Sequence, residues 1–457
     1  MEKVTITYMN STKNNEFYSP SKLQAVAQNV LDLSFQANIQ EAEISVAAGD
    51  GLEISVRDTV CESIENQQKQ SLAITVYENG RKGSATTSDF SISALKTSID
   101  AAKTIASNGE PDEYAKLVDK SYLCTDFKEL ELDHPWDAQV YELIELGKQV
   151  ESAALLKATV KQKSDGVTIH KSRGSRAYVT TTGFNQAYCT TRHSITSVMI
   201  AHDPSGKMQK GYYFSSSRDS KLLENASYIG QMAAARTEKK LGARKIATEC
   251  LPVVIDPRVA PGLIGHLLSA LSGKLQYEKA SFLYDCLGKK VLPSFITVSE
   301  RPHIIGGLSS ATFDSEGVPT NDKNIILNGE IIHYILDGYS ARKLNMRPTG
   351  NSGGITNIQI SNSGRKLAEI ISPIKKGLLV TELMGFGVNN LTGDYSRGAT
   401  GFLIENGRLG HAVEEVTIAG NLLDMLADIV EVGNDAEINN SIQVGTVFIK
   451  KMTVAGN

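Results

Sequence analysis

"AEISVAAGDGLEISVRDTVCES" (residues 42–63) and "SLAITVYENG" (71–80) alternate apolar and polar residues along their length. Such alternation turns one row of side chains toward a core and the next toward solvent, as a half-buried strand does and a helix does not. Asn79-Gly80 ends the second run with a tight-hairpin pair. Together with "KGSATTSDF" (82–90), these stretches predict four antiparallel strands, over 42–48, 51–63, 71–80 and 82–90.

On both sides the period changes to that of a helix. Residues 20–38 place Leu23, Val26, Val30, Leu31 and Phe35 on one face, with Ser21 as the expected N-cap, and residues 91–108 are helical up to Gly109. The order then recurs: a helix at about 137–155, four or five strand-like runs from 157 to 217, and a helix at about 220–240. Two rounds of helix, strands and helix predict that 20–110 and 137–240 are copies of one α+β unit, forming an N-terminal domain over 1–220. From about 250 onward short strands dominate, with hairpin turns at Asn328-Gly329 and Asn406-Gly407 and helices at 259–273 and 421–430. This half, 221–457, is expected to be mainly antiparallel β and barrel-like, and the chain as a whole α+β.

The chain has 457 residues, 41% of them hydrophobic and 21% charged, enough for two or three domains with a sizeable core. A net charge of -4 supplies no basic field for a phosphate backbone, so nucleic acid is not an expected partner. Cys61, Cys124, Cys189, Cys250 and Cys286 form no CxxC and no even framework, as expected of reduced thiols in the cytoplasm. Residues 1–17 lack the apolar core of a targeting signal, and no run of 18 apolar residues occurs, so no membrane span is expected.

The chemistry is thinner. His266 lies in "APGLIGHLLSALSG" (260–273), and zinc hydrolysis needs three protein ligands plus a base, which Pro261 and Gly262 cannot supply. His266 therefore reads as a hydrogen-bonded core residue. Cys189 and His193 can share a strand face but lack a third ligand, and Glu414 and Glu415 are expected on opposite faces of a strand. Ser396 has no evident base, G-x-S-x-G is absent, and "GFGVNN" lacks the third glycine of a dinucleotide fingerprint. "MGFGVNNLTGDYSRGATG" (384–401) holds five glycines, which allow tight turning or close approach of another backbone.

"GFGVNNLTGDYSRGATGFLIENGRLGHAVEEVTIAGN" (385–421), "ARKLNMRPTGNSGG" (341–354), "FDSEGVP" (313–319) and "VGNDAEINNSIQVG" (432–445) resemble the TldD/PmbA family, specifically its PmbA (TldE) branch. One departure is "GLSSATFD" (307–314), where the branch usually has Gly-Leu-Gly-Ser-Arg-Pro-Phe-Asp, so that Ala311 stands in the arginine's place. The resemblance implies a partner: in the TldD branch a His-Glu-x-x-x-His helix and a later cysteine make a zinc peptidase, which pairs with PmbA to degrade unfolded peptides. On that motif Pro261 falls on the first histidine, Gly262 on the glutamate and His266 on the second histidine, while Gly433 to Asp435 hold no cysteine.

The expected function is thus a noncatalytic subunit of a TldD/PmbA-type metallopeptidase, binding no cofactor itself, with zinc in a TldD-type heterodimer partner and a homodimer possible when the chain is alone. Gly385, Gly387, Asn389, Asp394, Arg397 and Gly398 are the expected contacts to peptide or partner, by addition of the unfolded peptide as a strand. The rival readings are a zinc peptidase active alone, recruiting His266, His303 or His411, and a regulator acting on DNA gyrase.

Overall fold

The computed structural model describes residues 19–456; residues 1–17, read above as free of a targeting signal, lie outside the described residues. The first unit is α1 (Pro20–Gln36), β1 (Glu41–Arg57), β2 (Val60–Glu78), β3 (Arg81–Thr87) and α2 (Ile92–Asn108). The second repeats it as α3 (Val140–Lys157), β4 (Gln162–Thr180), β5 (Asn185–His202), β6 (Met208–Ser217) and α4 (Ala226–Lys239). All six strands join one antiparallel sheet in the order β3-β2-β1-β4-β5-β6, so the two units meet along β1 and β4. The alternation read from the sequence is the cause: Ile44, Val46, Leu72, Ile74 and Val76 are fully buried beneath α1 and α2. Ile54, Val56, Val167, Ile169 and Met199 do the same beneath α3 and α4.

Each unit has three strands, where four, and then four or five, were expected. Gly49 and Gly51 read as a break between strands, yet β1 runs straight through them, with Gly49 opposite Gly174 of β4. A Cβ on Gly49 would lie 2.8 Å from the Arg173 carbonyl oxygen, so the glycine permits a close backbone approach within the sheet. The real turn is Asp58-Thr59, with φ of 51° and 62°. Both turn amides donate to the fully buried Glu151 carboxylate of α3, at 2.9 and 2.7 Å. Likewise α1 is capped by Ser19, whose Oγ accepts from the Lys22 amide, because Pro20 occupies the first helical position in place of the expected Ser21 start.

The second half contains β7 (Glu249–Ile255), α5 (Ala260–Ala270), α6 (Gly273–Tyr277), β8 (Val298–Glu300), β9 (Lys323–Leu327), β10 (Glu330–Ile331), α7 (Gly338–Lys343), β11 (Ile358–Ile360) and α8 (Leu367–Ile371). It continues through β12 (Lys376–Met384), β13 (Asp394–Glu405), β14 (Arg408–Asn421), α9 (Leu422–Ala427), β15 (Ile429–Val432), β16 (Ile442–Gln443) and β17 (Val447–Ala455). Strands β14-β13-β12-β7-β17 form a five-stranded barrel closed by pairing of β14 with β17, and β15 extends β17. The pairing of β12 with β7 is parallel, an exception to the expected antiparallel order. The helix expected over 421–430 ends at Ala427, and Ile429 turns into β15.

Two arginines tie the halves together. Arg218, after β6, donates to the carbonyls of Thr191, Gly307 and Leu308 at 3.2, 2.8 and 2.8 Å. Arg342 of α7 reaches back to the carbonyls of Tyr114 and Lys116 at 2.9 and 2.8 Å.

Candidate functional site

α5 is the element whose residues fall on the zinc motif. Leu263, Ile264, Leu267 and Leu268 face the barrel-side core and hold the helix there by apolar burial, roughly 1.5–3 kcal/mol for each such side chain. Its other face is open: Gly262 is exposed, and a Cβ built on Gly262 or Gly265 would meet nothing within 4 Å. Pro261 sits in the first turn and supplies no donor.

His266 is half-buried, and its Nε2 is enclosed without a hydrogen-bond partner, so the expected hydrogen-bonded core histidine is not what the fold makes. The imidazole meets the ring of buried Tyr395 edge-on at 6.2 Å between centroids. Arg397 lies two residues further along β13, on the same strand face as Tyr395. Burial first, and the Arg397 charge second, push the His266 pKa below its usual value, so the ring is neutral at pH 7.

A zinc ion does not fit this donor set. One imidazole beside a guanidinium opposes a cation, and no group of three or more His, Cys, Asp or Glu able to hold a metal occurs among the described residues. Asp435, in the stretch aligned with the missing cysteine, spends its carboxylate on the Thr446 amide and hydroxyl at 2.8 and 2.7 Å. His303 is held between Lys128 Nζ and Thr320 Oγ1, at 3.0 and 3.2 Å. His193 is buried, bonded to the His134 carbonyl and packed on Trp136. Glu414 and Glu415 do not diverge as expected: Glu415 adopts a φ of 52°, and both carboxylates converge on Lys207.

The glycine-rich stretch divides into a hairpin tip and a strand. Gly385 turns at φ 79°, and a Cβ on Gly387 would lie 2.0 Å from the Ser396 carbonyl oxygen, so this glycine is required by close approach. Asn389 closes the tip through its amide to the Asp394 carbonyl and its Oδ1 to the Leu391 amide, both at 2.9 Å. Asp394 accepts from Thr392 Oγ1 at 2.6 Å and lies on the opposite strand face from Arg397, so the two do not act together. Gly398 pairs with Met384, and β13 lies between β12 and β14. No free edge remains there for strand addition; what the tip offers is apolar side chain, with Phe386 fully exposed and Met384 and Leu391 more than half exposed.

Two cavities of about 170 and 520 Å³ between the first sheet and the second half share a wall made by Tyr188, Ala311 and Phe313. Ala311 is the position of the branch's missing arginine, and the departure seen in the sequence pointed to it. Nothing in the sequence signalled the pairing of His266 with Tyr395 and Arg397, which the barrel brings together from distant segments.

Signatures of the PmbA/TldA metallopeptidase match consecutively: domain 1 over residues 42–106, the central domain over 133–241 and the C-terminal domain over 248–456. The chain is similar to metalloprotease PmbA of Escherichia coli, 41% identical over 415 residues covering 91% of this chain and 92% of that one. A PmbA homologue of Haemophilus influenzae is 39% identical over 91% of this chain and 92% of its own. Among solved structures, a proposed modulator of DNA gyrase from Bacteroides thetaiotaomicron superposes with a TM-score of 0.89 at 26% identity, covering 96% of this chain and all of that one. TldE from Thermococcus kodakarensis shares the fold at a TM-score of 0.80, with 22% identity, covering 94% of this chain and all of its own. The chain belongs to the PmbA/TldD metallopeptidase family, in its PmbA branch.

Proposed function

We propose that this chain is the noncatalytic subunit of a two-subunit, cytoplasmic TldD/PmbA-type metallopeptidase acting on unfolded or extended peptides. The observation that carries this reading is the charge at α5: Arg397, a fixed cation, stands beside the single imidazole where a metal helix needs carboxylate and histidine donors. Zinc and the water it activates then belong to a TldD-type partner, and this chain contributes walls and contacts to the peptide chamber. The hairpin tip at Gly385–Gly393, with Phe386 fully exposed, is the surface offered to partner or peptide. The same surface allows the chain to self-associate when the partner is absent.

The test is co-expression with a TldD-type chain from the same organism, followed by cleavage of a C-terminally amidated, unstructured peptide by each chain alone and by the mixture. Cleavage is expected only in the mixture and survives His266→Ala in this chain. Near-stoichiometric zinc on the lone chain, lost with His266→Ala and accompanied by peptidase activity, overturns the proposal in favour of a self-sufficient enzyme.

A further inference from the structure

Strand addition needs an edge with unspent backbone groups, and β5 has one. Strand β6 pairs with β5 only from His193 to His202, so among the described residues the stretch 185–192 has β4 on one side and no strand on the other. Its two ends are tied off on that outer side. The Asn185 carbonyl accepts from Gln24 Nε2 at 3.4 Å, the Thr191 amide donates to the Leu132 carbonyl at 2.9 Å, and the Thr191 carbonyl accepts from Arg218 at 3.2 Å. In an antiparallel ladder a residue turns its N–H and C=O to the same neighbour and the next residue turns the other way, so Ala187 and Cys189 face outward as Asn185 and Thr191 do. Among the described residues, the amides and carbonyls of Ala187 and Cys189 have no partner on that side. The cavity of about 520 Å³ lies at this gap: it is lined by 186–189 of β5, by the connector 127–134 and by 311–313. Tyr188, on the opposite strand face from Ala187 and Cys189, meets Phe313 edge-on at 5.8 Å between centroids, and Phe127 packs on Phe313 at 6.0 Å.

We infer that an extended peptide adds here as an antiparallel strand, pairing with Ala187 and Cys189 of β5 inside the 520 Å³ cavity. The inference rests on the reading of the chain as a peptide-handling subunit and names where the peptide is held. Three residues of extended chain, ~10 Å long, satisfy all four open backbone groups, so the grip is on the main chain and is blind to most of the sequence. The pleat adds one preference: the middle residue stands opposite Tyr188 and points its side chain the same way, toward the aromatic wall of Tyr188 and Phe313, which suits an apolar or aromatic side chain. A cavity of this size takes one chain, whereas a second copy pairing edge to edge would bring a whole sheet.

The experiment uses the full chain alone and an acetylated, amidated pentapeptide, Thr-Val-Phe-Val-Thr, with binding read by calorimetry. N-methylation of both valines removes the amides that point at Ala187 and Cys189 and is expected to weaken binding by about tenfold or more, while N-methylation of the phenylalanine, whose amide points away from β5, leaves it within about threefold. Ala311→Trp puts an indole into the cavity without touching the edge and is expected to block the peptide. Cys189→Pro removes one outward N–H at no cost to the pairing with β4 and is expected to do the same. Should these variants fold poorly, the methylated peptides still give the answer on the wild-type chain. No binding of the parent peptide, equal loss from both kinds of methylation, or loss from neither overturns the inference. So does a dimer of the chain that Cys189→Pro dissolves, which would place a second copy on the edge. Because binding is read on the lone chain and the subunit role on the mixture, failure of one is distinguishable from failure of the other.

Discussion

Glu316 is a carboxyl group whose ionisation the fold resists. Burial pushes its pKa up to about 7, against the opposing Gly338 amide at 2.7 Å and with help from nearby Asp314, Asp337 and Glu43. A folded value above the unfolded 4.5 means that the native state holds the proton more tightly than the open chain does. Stabilisation from this group is therefore complete below about pH 4.5 and is lost as pH rises through about 7. At ~1.4 kcal/mol per unit the span is about 3 kcal/mol. Glu316→Gln keeps an acceptor for the Gly338 N–H and abolishes the charge. Urea titrations should show little difference from wild type near pH 5 and a gain of about 2–3 kcal/mol for the variant at pH 8; no gain at pH 8 would show that the carboxylate ionises without cost. At this scale the sequence was legible where chemistry is local, as in Asn79-Gly80, whose φ values of 52° and 71° make the hairpin turn between β2 and β3. It was illegible where a partner comes from afar: Arg397 reaches His266 only through the fold.

Among elements, periodicity served well and glycine misled. Helices at 20–36, 92–108 and 226–239 lie close to their expected positions because each buries one face against the first sheet. Gly49 was read as punctuation, though it lies within β1, since a glycine at a close backbone approach and one at a turn look alike in a sequence. The duplication shows more clearly in how the edges are built. On edge strand β3, a Cβ at Gly83 would lie 2.0 Å from the Ala102 carbonyl of α2; on edge strand β6, one at Gly211 would lie 2.5 Å from Thr237 Oγ1 of α4. The second unit adds a helix-to-helix version, where a Cβ on Gly230 of α4 would lie 2.2 Å from the Val150 carbonyl of α3. Replacing a helical glycine by alanine normally stabilises by about 0.5–1 kcal/mol. Here the sign should reverse, because the obstacle is backbone: Gly230→Ala is expected to cost about 1–3 kcal/mol by forcing α3 and α4 apart. A denaturant midpoint at or above that of wild type would show that the two helices separate without penalty.

For the whole molecule, what matters is how the duplicated sheet is held against the barrel. Barrel closure joins β14 to β17, and the parallel pairing joins β7 to β12, across separations at which local patterning is silent. The sequence therefore yielded an antiparallel, barrel-like half without saying which strands close it. The junction was equally hidden, since it depends on backbone carbonyls that carry no residue identity. Arg218 donates to three of them, two from the loop that leads to Ala311 and one from β5, and it is almost fully buried. That loop also builds the wall shared by the two cavities, so the guanidinium sets both the docking of the halves and the shape of the space between them. Arg218→Met preserves the length and apolar stem but leaves the three carbonyls without their donor. Charge-assisted bonds of this kind contribute about 1.5–3 kcal/mol, and carbonyls left buried without a partner add to the loss. The expected result is a comparable drop in stability, together with faster hydrogen exchange concentrated at residues 303–312 and at the adjoining end of β5. Exchange that quickens evenly over both halves would mean that Arg218 supports the fold at large; a local increase would identify it as the hinge pin between the duplicated sheet and the barrel.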